Sequence, residues 1–161
     1  MIVACVAAAL SMAGLNLLTH NLKGESRLFP ADIAQRRAVV VVTFSKSASD
    51  EASEWTRKLR ENQQKLTASI YQVAILEDVP SLFRSFVISA LKRAIPGSLH
   101  DSFWIATSSA KEWQEHTRAR SLGEAHVFLL EDRSQITWRF NGAFSERSLQ
   151  TLLVALSVQK N

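Results

Sequence analysis

Five short apolar runs, separated by polar and amphipathic stretches, dominate the chain from residue 38 onward. The first, Ala38–Phe44, is continuous and rich in valine, which is typical of a central strand covered by helices on both faces. The other four runs predict strands over residues 70–76, 102–107, 125–130 and 135–140.

Apolar side chains at helical spacing predict four helices, over residues 49–66, 81–95, 110–122 and 144–158. The stripe on the second of these is wide and flanked by basic residues. It therefore fits either a helix packed on a sheet or one lying on a membrane surface. The polar turn at Glu131-Asp132-Arg133-Ser134 is short, so the last two strands form an antiparallel hairpin. The predicted order is β-α-β-α-β-α-β-β-α, an α/β fold with a mixed five-stranded sheet and helices on both faces.

The first part of the chain has a different pattern. Ile2–Leu18 contains no charged residue, and as a helix it would span about 26 Å, close to the bilayer core of about 30 Å. We therefore predict an N-terminal hydrophobic helix over residues 1–19, acting as a signal peptide or a membrane anchor, with a buried core helix as the alternative. Gly24 and Pro30 favour a linker over residues 20–37 that leads into a domain over residues 38–161.

This segment also predicts location. The protein is expected to be periplasmic or otherwise extracytoplasmic, or to be attached to the membrane through residues 2–18 if they are not cleaved. In a eukaryotic cell the corresponding place would be the mitochondrial inner membrane, although no arginine-rich presequence is present.

Composition restricts the chemistry further. The chain has 161 residues, 47% of them hydrophobic, which fits one folded domain. Its 19 basic and 15 acidic side chains give a net charge of +4, too weak a bias to favour a nucleic-acid partner. Cys5 is the only cysteine, which excludes an intramolecular disulfide and a cysteine-based zinc site. The four histidines show no metal-ligand spacing, so neither a metal nor a cofactor is expected.

The predicted order of elements is similar to the thioredoxin fold, and Leu130–Leu156 resembles the C-terminal third of thioredoxins. Aligning Phe44 with the aromatic residue before the redox motif places Ser49-Asp50-Glu51-Ala52 where thioredoxins have Cys-x-x-Cys. The stretch Glu124-Ala125-His126 stands where thioredoxins place a cis-proline. Thiol–disulfide exchange needs a thiolate and a resolving thiol, so the resemblance implies a redox-inactive domain that is not an enzyme.

A narrower resemblance is to the thioredoxin-like family of mitochondrial ATP synthase assembly factors and its bacterial relatives. It covers roughly residues 38–158. The similar features are the strand and helix from Ile70 to Pro96, the run His100-Asp101-Ser102-Phe103-Trp104, the stretch Ile136–Arg139, and Gly142. This resemblance implies a protein partner in a membrane complex and an assembly or chaperone role.

The loops equivalent to the thioredoxin substrate groove form the candidate site. The predicted partner-binding residues are Ser47, Ser49, Asp50, Glu51, Asp78, Pro80, Glu124 and His126. For Ser49 the plain interpretation is a helix N-cap, and for His126 it is a strand histidine with satisfied hydrogen bonds. The alternative function is a small-molecule-binding enzyme, which requires Asp78 and His126 to converge in one pocket.

Overall fold

The computed structural model describes residues 10–11 and 14–158. One sheet of eight strands forms the centre of the molecule, in the order β1-β8-β7-β4-β5-β6-β2-β3. In chain order the strands are Leu10–Ser11 (β1), Leu17–Asn21 (β2), Ser26–Phe29 (β3), Arg37–Thr43 (β4), Ser69–Ile75 (β5), Phe103–Ala106 (β6), His126–Glu131 (β7) and Gln135–Asn141 (β8). Seven of them have four residues or more, and β1 is a two-residue edge strand.

The centre of the sheet follows the predicted pattern. Val39, Val40, Val41 and Val42 of β4 are all fully buried, since β4 lies between β5 and β7 and is covered on both faces. Strands β4, β5 and β6 run parallel, whereas β7 pairs with β4 and β8 antiparallel. The five predicted strands are confirmed.

Five helices accompany the sheet. They are Ser49–Glu61 (α1), Gln63–Leu66 (α2), Ser81–Ala94 (α3), Ala110–Thr117 (α4) and Glu146–Ser157 (α5), and 3-10 turns lie at Lys46–Ala48 and Gly97–Leu99. Helix α4 is shorter than predicted because Arg118 adopts a left-handed conformation, with φ 54°, and ends it.

Alternate residues of β4 belong to two separate cores, as the twofold period of a strand requires. Val39 packs with Trp55 of α1 and with the inner side of α5. Val40 packs on the other face with Trp113 of α4. Helix α3 lies beside α1, since both line one cavity over β5. Helices therefore cover both faces, with α1, α3 and α5 on one and α4 on the other.

The predicted linker is wrong for residues 20–29, because β2 and β3 form an antiparallel hairpin that pairs with β6. Leu17 and Phe29 face each other in this hairpin, and both are buried. The turn between them uses Gly24, at φ 85°, and the Asn21 side chain, which accepts hydrogen bonds from two backbone N–H groups. The sheet is therefore larger than the five strands predicted.

Most of the predicted N-terminal hydrophobic helix, residues 1–9 and 12–13, lies outside the described residues. Residues 10–11 and 17–19 of that range lie in strands and residues 14–16 in a connecting turn: β1 pairs with β8, and β2 alternates buried and exposed side chains. Within the described part of the chain, no helix has both the length and the apolar character to cross a bilayer. Cleavage or anchoring of residues 1–19 stays a prediction.

Candidate protein-binding rim

The candidate site lies at the edge of the sheet where β4 and β5 end and β7 begins. Three segments form this rim, as we call it: residues 45–51 between β4 and the first turn of α1, residues 76–80 after β5, and residues 121–126 at the start of β7. Parallel β4 and β5 bring the first two segments together, and antiparallel β7 brings the third beside them. The predicted site residues therefore share one edge of the molecule.

The first and third segments of the rim are held together by side chains near the end of β4. Ser45 Oγ donates to the carbonyl oxygen of Leu122 at 2.6 Å and lies 2.8 Å from Ser47 Oγ. A Cβ placed on Gly123 would lie 3.5 Å from Ser47 Oγ, so a side chain at position 123 would already touch the first segment. These contacts leave little space between the loops.

A second link joins the two positions that resemble the thioredoxin redox apparatus. The N–H of Ala125 donates to Glu51 Oε2 at 2.9 Å, and Ala125 is fully buried. Proline has no N–H, so an alanine at this position brings a buried donor that needs an acceptor. Glu51, in the first turn of α1, supplies that acceptor.

His126 is buried, with 1% of its surface exposed, and both of its ring nitrogens have partners. Nε2 donates to the carbonyl oxygen of Ser121 at 2.7 Å, and Nδ1 is hydrogen-bonded to Asn141 Oδ1 at 2.9 Å. Its ring meets Phe44 edge-on, with 5.5 Å between centroids. The interpretation as a satisfied strand histidine is confirmed, and this side chain does not present a free surface to a partner.

The second segment of the rim carries exposed groups. Asp78 and Pro80 are exposed. The Glu77 carboxylate accepts a hydrogen bond from the N–H of Ala110, the first residue of α4, at 2.8 Å. The Asp78 carboxylate and the His126 imidazole do not meet: β4 separates β5 from β7, and both imidazole nitrogens already have other partners. The structure therefore does not bring these two residues together.

Six of the eight predicted residues lie at the surface of the rim: Ser47, Ser49, Asp50, Asp78, Pro80 and Glu124. Glu51 is partly buried and His126 is buried, and both form hydrogen bonds within the protein. The prediction that Ser49 is an N-cap is wrong, because Ala48 occupies that position and no side chain caps α1. The exposed charges of this set, Asp50, Asp78 and Glu124, are all acidic.

An exposed apolar patch at the start of α3 lies directly after the rim, outside the residues predicted for the site. It consists of Leu82, Phe83 and Phe86, which are 86%, 59% and 69% exposed. The other half of α3 packs on the sheet, where Ile88 and Leu91 contact the cluster around β6. The width of the apolar stripe could have indicated this patch, because a helix that packs on a sheet with one face buries only part of so wide a stripe.

Among the described residues there is no cysteine, because Cys5 lies outside them, and no group of three or more metal-ligating His, Asp or Glu side chains. No pair of thiols is therefore present at the positions where α1 begins, and the chemistry of the described rim is that of hydroxyl, carboxylate and backbone groups.

No protein-family model matches the chain, and no curated protein sequence matches it. Solved structures match it along most of its length. BsSco, described as a member of the Sco family of cytochrome c oxidase assembly proteins, is 10% identical with a TM-score of 0.58, over 89% of this chain and 93% of that one. A thiol-disulfide oxidoreductase from Bacteroides fragilis is 17% identical with a TM-score of 0.56, over 88% and 96%.

This chain has a thioredoxin-like fold. A third structure, the exposed lipoprotein thioredoxin of Streptococcus pneumoniae, agrees at 11% identity and a TM-score of 0.56, over 85% of this chain and 97% of that one. At these identities the likeness concerns the fold alone. None of the three is an ATP synthase assembly factor, so that narrower resemblance stays a prediction.

Proposed function

We propose that this protein is a redox-inactive thioredoxin-like domain that works by binding another protein through its rim and the adjacent apolar patch. The observation that carries the proposal is the patch of Leu82, Phe83 and Phe86. Three large apolar side chains exposed side by side at the start of one helix are typical of an interaction surface.

The internal bond between Glu51 and Ala125 supports the same proposal. It occupies the backbone donor that lies beside the start of α1, so this position is closed to a substrate strand. A partner instead meets the exposed side chains. Asp50, Asp78 and Glu124 are exposed on the rim together with one exposed cation, Lys46, so the partner surface we propose is apolar with mainly basic flanks.

We also propose an assembly or chaperone role at a membrane complex, outside the cytoplasm. Support comes from the resemblance to assembly factors and from two structures of the same fold, one described as belonging to a family of oxidase assembly proteins and one as an exposed lipoprotein. The uncharged segment at residues 2–18 is consistent with export or anchoring.

Site-specific photo-crosslinking tests the binding proposal. A photoreactive phenylalanine analogue is placed at Phe83 or, as a matched control, at Val154, a 65% exposed apolar residue on α5. The proposal expects a discrete crosslinked protein from position 83 and none from position 154. The Phe86→Asp exchange in the position 83 protein should abolish the product. Equal crosslinking from both positions, or a product unaffected by Phe86→Asp, would contradict it.

A thiol assay tests the redox part. The unaltered protein, whose one thiol is Cys5, should reduce insulin no faster than the reductant alone and no faster than its Cys5→Ser variant. A Ser49→Cys/Ala52→Cys variant, with its cysteines three residues apart on α1, serves as the comparison. Turnover by the unaltered protein above the reductant background, and lost in Cys5→Ser, would refute the redox-inactive assignment.

A further inference from the structure

A cavity of about 560 Å³ opens between α1, the end of α3 and the 3-10 turn at Gly97–Leu99, over Gln72 of β5. This volume falls within the range of sites for small molecules, about 300–1,000 Å³. Its lining comes from the middle and end of α1, whereas the rim lies at the start of that helix, so the cavity is separate from the rim.

One wall of the cavity holds an arginine with few partners. Arg60 is partly buried, and its Nη2 donates to Ser102 Oγ at 3.1 Å. Its Nε is buried without a hydrogen-bond partner, and no carboxylate among the described residues pairs with it. Partial burial lowers the pKa of Arg60, because it removes part of the water that would stabilise the cation. Within the described part of the chain, Ser102 Oγ is the hydrogen-bond acceptor found for this guanidinium.

The second arginine of the cavity is different. Arg57 Nη1 lies 2.6 Å from Glu61 Oε1, one helical turn away, and 57% of the Arg57 side chain is exposed. Its charge is already neutralised at the surface. Only Arg60 therefore combines partial burial with an unmatched positive charge in this cavity.

The opposite wall is apolar. It is formed by Ile95 and Pro96 at the end of α3, by Leu99 in the 3-10 turn, and by Phe103 at the start of β6. Gln72, at the base, accepts from Thr56 Oγ1 through Oε1 at 3.0 Å. A cation on one side and an apolar wall on the other suit a ligand that has an anionic group at one end and an apolar group at the other.

We propose that this cavity binds a small organic carboxylate with an apolar tail. The carboxylate pairs with the Arg60 guanidinium, whose planar fork matches two carboxylate oxygens, and the tail lies against Ile95, Leu99 and Phe103. The pairing gives the unmatched charge an anion and supplies acceptors for donors that have none. The proposal does not depend on the function of the rim.

Isothermal titration of the full chain with octanoate tests this, with octanol and acetate as the matched probes. Octanol lacks the charge and acetate lacks the tail. We expect octanoate to bind at least about tenfold more tightly than either, because both halves of the cavity contribute. Octanol binding as tightly as octanoate would remove the role of Arg60. Acetate binding as tightly would remove that of the apolar wall. Either result, or no octanoate binding at millimolar concentration, overturns the proposal.

Two variants locate the site. Arg60→Gln should weaken octanoate binding about tenfold or more, whereas Arg57→Gln, on the same helix and in the same cavity, should change it less than about threefold. Equal losses in the two variants would contradict the assignment. Ala94→Trp, which adds a bulky side chain at an exposed position of the lining, should also weaken binding if the cavity is the site. Undiminished binding by Ala94→Trp would refute it even if Arg60→Gln fails to fold.

Discussion

The hydrogen bond from Ala125 to Glu51 predicts a measurable loss of stability in the Glu51→Ala variant. Ala125 is fully buried, so without Glu51 its N–H has neither a protein acceptor nor water. An unsatisfied buried donor costs about 1–3 kcal/mol. Losing a carboxylate from the first turn of a helix costs about 0.3–1 kcal/mol more. We therefore expect the free energy of unfolding to fall by about 1.5–4 kcal/mol.

Two matched variants separate these contributions. Glu51→Gln keeps an amide oxygen that can accept from Ala125, so its cost should stay below about 1.5 kcal/mol. Glu54→Ala lies on the same helix, where the exposed Glu54 carboxylate is 4.0 Å from Arg57, and it should cost less than about 0.5 kcal/mol.

Urea unfolding followed by tryptophan fluorescence measures all three variants. Trp55 suits the assay because it is fully buried and its Nε1 donates to the carbonyl oxygen of Gly142, beside the rim. With a slope of about 1–3 kcal/mol per molar urea, the expected shift in midpoint is about 0.5–4 M. Glu51→Ala and Glu54→Ala with the same midpoint would refute the reasoning, as would rapid hydrogen exchange of the Ala125 amide in the unaltered protein.

Two further predictions concern ion pairs. Arg37 lies 2.6 Å from Glu131, and most of both side chains is buried, so Arg37→Ala should lower the free energy of unfolding by about 3 kcal/mol. Arg36 is 82% exposed, so Arg36→Ala should cost less than about 1 kcal/mol, and equal costs measured by thermal unfolding would contradict this. Hydrogen bonds from Arg27, and to a smaller extent from Asn21, lower the pKa of Glu25 below its ordinary value near 4.5. The ionised carboxylate therefore stabilises the hairpin above pH 4.5, and this stabilisation is lost as the pH falls through the lower pKa of the folded state. An NMR titration midpoint for Glu25 at or above 4.5, or one that Arg27→Ala leaves unchanged, would show the reverse.

The centre of the fold could be predicted from sequence because its signal is local. The valines of β4 and the spacing of Trp55, Leu59 and Leu66 each occur within a few residues, and all of these side chains are fully buried. The hairpin of β2 and β3 could not be predicted in this way, because its local pattern is obscured. Leu17 and Leu18 continue an uncharged run, which hides the alternation in which Leu17 is buried and Leu18 is 49% exposed.

The contacts of the rim could not be predicted because they join distant parts of the chain. Glu51 and the N–H of Ala125 are 74 positions apart, and the hydroxyl of Ser45 and the carbonyl of Leu122 are 77 apart. The position of the rim followed from the order of the elements, but which of its side chains stay free depends on these long-range bonds. The same holds for the cavity, which exists because α3 packs beside α1.

One hydrogen bond joins the two places where the chain departs from the thioredoxin pattern, the missing redox cysteines and the missing proline. In the stretch that stands where thioredoxins have a proline, Ala125 has a buried N–H, and within the segment aligned with the redox motif Glu51 supplies the oxygen that accepts it. Restoring only the proline would leave the Glu51 carboxylate without this donor, and restoring only the cysteines would leave the groove bridged. This bond therefore bridges the first and third segments of the rim, while Asp50, Asp78 and Glu124 stay exposed on it. For the partner proposed above, we therefore expect contacts with the exposed carboxylates and with Phe83 and Phe86 instead of with the Ala125 N–H.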